Sequence, residues 1–294
     1  MVKTSAREKW RHVLQKILDE PNFQKNIEQN GYHDIPEWVE FRSKYKLSDD
    51  GKFQKPPGWI SLDFWSKPSP GSTQESILTE KGYYILRTGS GGFKILNEKF
   101  FPKPYLELKT DNAEKLEYVK DDDWKHLLSA YSIRHKQENP GLEFLNAFGI
   151  YDLIIEKLFG KQEWRVGPRG NTISKFKIYA KNMKNEIIEL YSFEGQEELD
   201  YTVWTKDQIL LIEAKKVKKK NQGLDLGWHK IAYPANRFME LKNYKITPVY
   251  ILRFDKVYHI FIFPVLKFYN NDGIIINDTE QLKPKYVFSV STET

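Results

Sequence analysis

Apolar residues recur at helical spacing near the start of the chain. Within SAREKWRHVLQKILDEPNF, one helical face collects the apolar side chains of Trp10, Val13, Leu14, Ile17 and Leu18. Ser5 and Glu8 have the spacing of a capping box, so an amphipathic helix is predicted here. A second short helix is predicted over 35–45, with Pro36 in its first turn. Alternating residues then predict two strands that flank a glycine turn over 89–92.

The second half of the chain alternates helical and strand patterns. The polar stretch YSIRHKQENPG predicts a boundary between a helix-rich region at 1–138 and a second domain at 139–294. In that domain the pattern predicts a helix over 142–159, the strands EWRV, ISKFKIYA and EIIELYSF, the hairpin LDYTVWTKDQILLIEAKK, a helical region over 226–244, and a final hairpin that turns near 255–256. This order predicts an α/β (α+β) fold in which helices flank a mixed β-sheet.

Composition narrows the class of protein. The 294 residues, 40% of them apolar, suffice for one sizeable core or two modest ones. No run approaches the ~20 apolar residues that span a bilayer, and the start of the chain lacks the apolar core of a signal peptide, so we expect a cytoplasmic protein without a membrane partner. The absence of cysteine excludes disulfides, thiolate metal sites and cysteine nucleophiles. The net charge of +6 suits a polyanionic partner without establishing one.

Two acids and a lysine lie at the open end of the apolar hairpin. If a two-residue turn occupies 206–207, Asp200 faces Glu213 with β-carbons ~4.5–5.5 Å apart. Alternation places Lys215 on the same face as Glu213. Facing acids repel each other, and Mg²⁺, which prefers carboxylate oxygens, would offset that repulsion. The alternative is a surface hairpin whose acids pair with lysines; the buried run ILLI and the lysines that follow favour a site instead.

The same residues resemble a known family. LDYTVWTKDQILLIEAKK is similar to the signature of the PD-(D/E)XK nucleases, with Asp200 in the place of the aspartate, Glu213 in that of the second acid and Lys215 in that of the lysine. Leu199 replaces the usual proline. The resemblance extends more weakly over 142–264, where the order of elements is similar to that of the family core. In size, and in having a separate N-terminal region, the chain looks most like a type II restriction endonuclease.

The resemblance implies a fold and an activity. The fold is a restriction-endonuclease-like mixed sheet, with 139–294 as the catalytic domain and 1–138 as a region for DNA recognition or dimerisation. The activity is hydrolysis of phosphodiester bonds in double-stranded DNA by a homodimer. The implied cofactor is Mg²⁺, for which Mn²⁺ can substitute.

The resemblance also implies roles for individual residues. Asp200, Glu213 and the carbonyl of Ala214 hold the metal, and Lys215 assists the attacking water. An acid on the preceding helix completes the ligand set; Asp152 is the first choice, and the alternatives are Glu156 and Glu143.

The lysine run KKVKKK and the helical region after it supply candidate DNA contacts. These contacts are Lys216, Lys218, Lys219, Lys220 and His229. A solvated charge run and a structural histidine are the alternatives. Near the predicted sheet edge, the candidates for base reading are Arg165, Arg169 and Asn171. The segment TGSGGF lacks the ending of a phosphate-binding loop and is predicted to be a turn.

Two rival functions stay open on the sequence. A structure-specific nuclease for repair or junction resolution would use the same acids and lysine. A non-catalytic nucleic-acid-binding protein with this fold would bind without Mg²⁺ and without cleavage.

Overall fold

The computed structural model describes residues 14–35, 76–87, 93–102, 105–118, 139–217, 224–227, 229–270, 272–276 and 283–291. The chain divides into two compact units. The first comprises Met1–Tyr105, Lys175–Glu194 and Asp272–Thr279, and the second comprises Leu106–Ser174, Gly195–Asn271 and Glu280–Thr294. The predicted division between 1–138 and 139–294 stays a prediction.

The first unit contains short helices and a small antiparallel sheet. A helical turn over 14–18 precedes α1 (Pro21–Asn30), β1 (Tyr32–Ile35), α2 (Ser76–Thr79), β2 (Tyr83–Arg87) and β3 (Phe93–Asn97). The sheet order is β1-β3-β2. Its core consists of Leu14, Ile17, Phe23, Ile27, Ile35, Leu78, Ile85, Phe93 and Ile95. α1 ends because Gly31 adopts φ 81°, where an added β-carbon would lie 2.7 Å from the Phe101 ring.

Several predictions for the N-terminal region concern residues of this unit. The strands on either side of the glycine turn are confirmed by the antiparallel β2–β3 pair, in which Arg87 faces Phe93. The predicted N-terminal helix is described only from Leu14, and the helix over 35–45 and the turn itself lie outside the described residues. The described part combines helices and strands, so a helix-rich region at 1–138 stays a prediction.

The second unit is built on a mixed sheet with the order β5-β16-β13-β12-β10-β9-β6. Its strands are β5 (Glu114–Lys115), β6 (Arg165–Val166), β9 (Tyr201–Trp204), β10 (Gln208–Val217), β12 (Lys245–Phe254), β13 (Val257–Ile262) and β16 (Tyr286–Ser291). β10 is parallel to β12 and antiparallel to β9. The other strands in the described residues are β4 (Tyr105–Glu107), β7 (Gly170–Lys181), β8 (Ile187–Leu199), β11 (Asp225–Gly227), β14 (Phe268–Tyr269) and β15 (Gly273–Ile275). The predicted α+β class and mixed sheet are therefore confirmed.

Helices cover both faces of strand β10. The even-numbered Leu210, Ile212 and Ala214 belong to a core with α3 (Asn139–Ala147) and α4 (Ile150–Phe159). The odd-numbered Ile209 and Leu211 pack with Ala235 and Phe238, which lie in or just after α5 (His229–Ala235). A central strand buried on both faces needs a continuous apolar run, which explains ILLI. Burial of each large side chain stabilises the fold by about 1.5–3 kcal/mol.

Two predicted helical elements have different bounds in the structure. The predicted helix over 142–159 is two helices, because Gly149 adopts φ 64° between α3 and α4. The predicted helical region over 226–244 is reduced to α5 and a 3₁₀ turn at Asn236–Phe238. β11 takes up its first residues, and α5 contains Pro234, which has no amide proton to donate to the Lys230 carbonyl and therefore weakens the helix near its end. Among the described residues, no helix is both long and apolar enough to cross a membrane.

The final predicted hairpin is confirmed. β12 and β13 pair in antiparallel fashion up to Phe254 and Val257, so the turn consists of Asp255 and Lys256. Asp255 adopts φ 51°, which suits a tight turn because aspartate tolerates the left-handed conformation.

Candidate functional site

The hairpin of β9 and β10 has the predicted register. Val203 faces Leu210 and Tyr201 faces Ile212, and the Thr205 amide donates to the Gln208 carbonyl at 3.0 Å to close a two-residue turn. Asp200 and Glu213 are the next residues beyond the Tyr201–Ile212 pair, where the pairing of β9 with β10 ends. Both acids act on Lys230 of α5, so they lie on the α5 side of the sheet, whereas Tyr201 and Ile212 belong to the core on the opposite face.

Asp200 is fixed by the backbone of the neighbouring strand. It occupies the single position between the end of β8 and the start of β9. Its Oδ2 accepts a hydrogen bond from the Ala214 amide at 2.8 Å. Ala214 is buried, at 7% exposure, so the carboxylate satisfies a backbone donor that has little access to water. The local backbone thus positions the acid.

Glu213 is largely buried and contacts a lysine of α5. Its side chain is 14% exposed, and its carboxylate oxygen lies 3.1 Å from the Lys230 ammonium. Burial lowers the pKa of Lys230, but the carboxylates of Glu213, Asp200 and Glu198 outweigh that effect and leave the pKa raised. The Lys230 ammonium therefore stays protonated in a field of three acids.

The two lysines at the end of β10 belong to opposite faces. Lys215 is exposed and, two residues after Glu213, shares the face of the acids. Lys216 is exposed on the other face, where it lines a depression together with Arg253 and the start of α3. The end of β10 thus presents positive charge on both faces of the sheet.

The helix acids are not assembled with this pair. Asp152 is exposed on α4 and accepts a hydrogen bond from the Trp164 indole at 2.6 Å. Glu143 accepts one from Arg169, also at 2.6 Å. Glu156 is exposed on α4. In the described part of the chain, no three acidic or histidine side chains are grouped closely enough to hold a metal ion, so Asp152 is not brought to Asp200 and Glu213.

The predicted DNA contacts are only partly described. Lys218, Lys219 and Lys220 lie outside the described residues, and His229 is the first residue of α5. Arg165 and Asn171 are exposed on strands β6 and β7. Arg169 is anchored by Glu143, with its guanidinium 6.0 Å from the centre of the Tyr201 ring.

The donor set at the end of β10 fits a hard divalent cation. The carboxylates of Asp200 and Glu213 and the Ala214 carbonyl are donors of the kind that Mg²⁺ prefers, and Mg²⁺ is typically held by one or two carboxylates with waters. The position already accommodates a positive charge, since the Lys230 ammonium lies against Glu213. The residues present therefore fit the ion that the sequence led us to expect.

Lys230 is the residue of this cluster that sequence reasoning missed. It adjoins His229, the residue of this helix that the sequence predicts as a DNA contact. No local pattern marks it, because the contact with Glu213 depends on how α5 packs on the sheet. The one available signal was its position in the helix that follows the lysine run.

Comparisons with known proteins give a family without an activity. No curated protein matches the chain, and no solved structure matches it. A family model described as a domain of unknown function (DUF6997) matches residues 102–278, which include both strands of the hairpin, α3, α4 and α5. That match spans more than half of the chain, and the protein therefore belongs to the DUF6997 family.

Proposed function

We propose that this protein is a Mg²⁺-dependent endonuclease that hydrolyses phosphodiester bonds in double-stranded DNA. The observation that carries the proposal is the acid pair at the end of β10. Asp200 and Glu213 are the next residues beyond the Tyr201–Ile212 pair of the two strands, and the Asp200 carboxylate accepts a hydrogen bond from the Ala214 amide. The Lys230 ammonium already offsets part of the repulsion between the acids, and a divalent cation of the kind that a nuclease uses would offset it further.

The arrangement of elements also supports the proposal. Helices α3 and α4 precede the strands, β9 and β10 form the hairpin, and α5 leads into β12, which lies parallel to β10. A helix, strands, a helix and a further strand is the order that the resemblance to PD-(D/E)XK nucleases implies. A type II restriction endonuclease, acting in the cytoplasm as a homodimer with one site for each DNA strand, is the subclass we propose.

Each residue at the site has a chemical role in this proposal. Asp200, Glu213 and the Ala214 carbonyl hold the divalent cation. When bound, the ion supplies Lewis-acid stabilisation of charge on the phosphoryl oxygens. Lys215 projects from the face of the acids, where its ammonium can orient the attacking water or stabilise charge on the phosphate. Lys230 balances the charge of Glu213 before the cation and the substrate arrive.

A structural role for the acids is the second candidate, and one observation favours it. The Lys230 ammonium already pairs with Glu213, so the acids could serve to dock α5 onto the sheet. In that case the acids contribute to stability alone, and removal of Asp200 changes stability without removing an activity.

The decisive experiment is an incubation with a mixture of long duplex DNAs in Mg²⁺ or in EDTA. We expect discrete fragments with wild-type protein in Mg²⁺, and a loss of more than about a hundredfold in rate for Asp200→Ala and for Lys215→Ala. Lys206→Ala, at the turn of the same hairpin, is the matched control and should cut like wild type.

The outcomes separate the candidates. Cleavage restricted to flaps, junctions or damaged duplex would identify a structure-specific nuclease instead of a restriction enzyme. If duplex, branched and single-stranded DNA all stay intact while the protein binds DNA equally in Mg²⁺ and EDTA, the catalytic proposal is wrong and a binding module is left. Folding of each variant is checked by circular dichroism.

A further inference from the structure

A depression with basic side chains lies on the face of the sheet opposite the acids. Lys216 and Arg253 line it, and the first turn of α3, at Gly141, forms its wall. Tyr258 lies at its base, and the depression also touches Lys215, the chain neighbour of Lys216 in β10. Among the described residues that line it, none is acidic. This basic depression, defined by Lys216, Arg253, Tyr258 and Gly141, is separate from the acid pair although both are formed by β10.

The register of the sheet aligns the basic side chains. Lys216 of β10 faces Arg253 of the parallel strand β12, and Arg253 faces Tyr258 of the antiparallel strand β13. Neighbouring strands are ~4.8 Å apart, so the two cations are held side by side on one face. Two basic side chains next to each other are the usual means by which proteins bind a phosphate.

The surrounding groups orient Arg253. Its guanidinium lies 5.2 Å from the centre of the Tyr258 ring, and its Nε donates to the Asp255 carbonyl at 3.2 Å. Tyr258 is 2% exposed and therefore forms a fixed base. A planar guanidinium held on an aromatic ring has a fixed orientation, and the geometry of a guanidinium matches that of a phosphate.

Gly141 brings the wall close to this base. A β-carbon added to Gly141 would lie 3.3 Å from the Tyr258 ring, closer than most side-chain contacts. The chain therefore approaches Tyr258 through a residue without a side chain. Backbone amides in the first turn of a helix lack acceptors within the helix and add partial positive charge to the wall.

We propose that the basic depression binds a phosphate group. That this phosphate belongs to the backbone of duplex DNA rests on the proposed function. In a nuclease, the acids beside β10 would act on one phosphate while Lys216 and Arg253 bind another. The same chemistry would also accept a free phosphate or the phosphate of a small molecule. Duplex DNA and a small phosphate ligand can be distinguished by which of the two binds more weakly when the basic side chains are removed.

The test measures binding without cleavage. Fluorescently labelled duplex is titrated in EDTA at several salt concentrations with wild type, Lys216→Ala, the double variant Lys216→Ala/Arg253→Ala, and Lys206→Ala as the matched control. We expect each lost charge to weaken binding up to about fivefold. We also expect the slope of log K against log salt to fall by about 1 for the phosphate contact that is lost. Inorganic phosphate is titrated in parallel by ³¹P NMR.

The two arms identify the source of the phosphate. A loss of duplex affinity and salt slope in Lys216→Ala and in the double variant, with Lys206→Ala unchanged, identifies a backbone phosphate. A loss of inorganic phosphate binding alone identifies a small phosphate ligand. The proposal is overturned if the double variant is folded, as judged by its melting temperature, and binds both duplex DNA and inorganic phosphate like wild type. Because Lys216 is exposed, the single variant Lys216→Ala provides the same test even if Arg253→Ala unfolds the protein.

Failure of this site and failure of the proposed nuclease are distinguishable. Charge-dependent phosphate binding by a protein that cuts no DNA would retain the basic depression and reject the nuclease. Normal duplex binding and normal cleavage by the double variant would retain the nuclease and reject the basic depression.

Discussion

Two clusters in which carboxylates surround a lysine can be compared. The β10 cluster consists of Asp200, Glu213 and Lys230. The β7 cluster consists of Lys177, Tyr179, Glu189 and Asp272. Lys177 lies 3.1 Å from Glu189 and 3.3 Å from Asp272, and Asp272 also accepts from the Tyr179 hydroxyl at 2.7 Å. The carboxylates here are 41% and 38% exposed, whereas that of Glu213 in the β10 cluster is 14% exposed.

The two clusters differ in what holds their acids. In the β7 cluster, side-chain hydrogen bonds to Glu189 and Asp272 raise the pKa of Lys177, and charges of both signs meet at the surface. In the β10 cluster, a backbone amide fixes Asp200, and Glu213 lies within a strand that is covered on both faces. Residue types alone do not distinguish an ion-pair network from a candidate site; burial and attachment to the backbone do.

Replacing Asp200 gives the largest expected effect on stability. Asp200→Ala removes the acceptor of the buried Ala214 amide, so we expect the free energy of unfolding to fall by about 1–3 kcal/mol. Asp200→Asn keeps an oxygen acceptor and should lose less. Asp272→Ala in the exposed β7 cluster should cost about 1 kcal/mol or less. Urea unfolding measures all three; equal losses for Asp200→Ala and Asp272→Ala would remove the distinction between the clusters.

Replacing Lys230 tests whether its ammonium competes with a metal. Because Lys230 pairs with Glu213, we expect Lys230→Met to tighten Mn²⁺ binding about two- to fivefold, the range for an ion pair with a half-exposed lysine. Electron paramagnetic resonance of free Mn²⁺ measures this affinity without any substrate. Lys177→Met is the control from the β7 cluster and should leave it unchanged. Weaker Mn²⁺ binding in Lys230→Met would show that Lys230 organises the acids instead of competing for them.

Removing the Tyr179 hydroxyl gives the smallest expected effect. Tyr179→Phe loses the hydrogen bond to Asp272, which should cost about 0.5–1.5 kcal/mol at pH 8. Burial, followed by the hydrogen bond to Asp272, raises the pKa of Tyr179 from 10.0 to about 12. A raised pKa in the folded state stabilises the protein below the unfolded value and loses that contribution as the pH rises.

The difference in stability between wild type and Tyr179→Phe should therefore shrink between pH 10 and about pH 12. Chemical unfolding of both proteins at a series of pH values measures it. A difference that grows over this interval would contradict the raised pKa and the hydrogen bond that contributes to it.

Local rules predicted the hairpin but not the partners of its acids. The two-residue turn and the alternation of strand residues give the register in which Tyr201 faces Ile212, and both are properties of neighbouring residues. The prediction of one continuous helix over 142–159 was wrong. The apolar periodicity continues through Gly149, but the backbone at this residue adopts φ 64° and interrupts the helix. Asp152 was chosen from its place in the chain, yet it bonds to Trp164.

The sequence by itself determined the alternation, the turn and the apolar run, and with them that two acids and a lysine meet at one end of β10. Only the tertiary structure decided that Lys230 reaches Glu213 and that Lys216 lines up with Arg253. It also decided that the helix acids Asp152 and Glu143 accept hydrogen bonds from Trp164 and Arg169. The physical reason is range: turn geometry and strand periodicity act over a few residues, whereas these contacts join segments that only the packing of helices and parallel strands brings together.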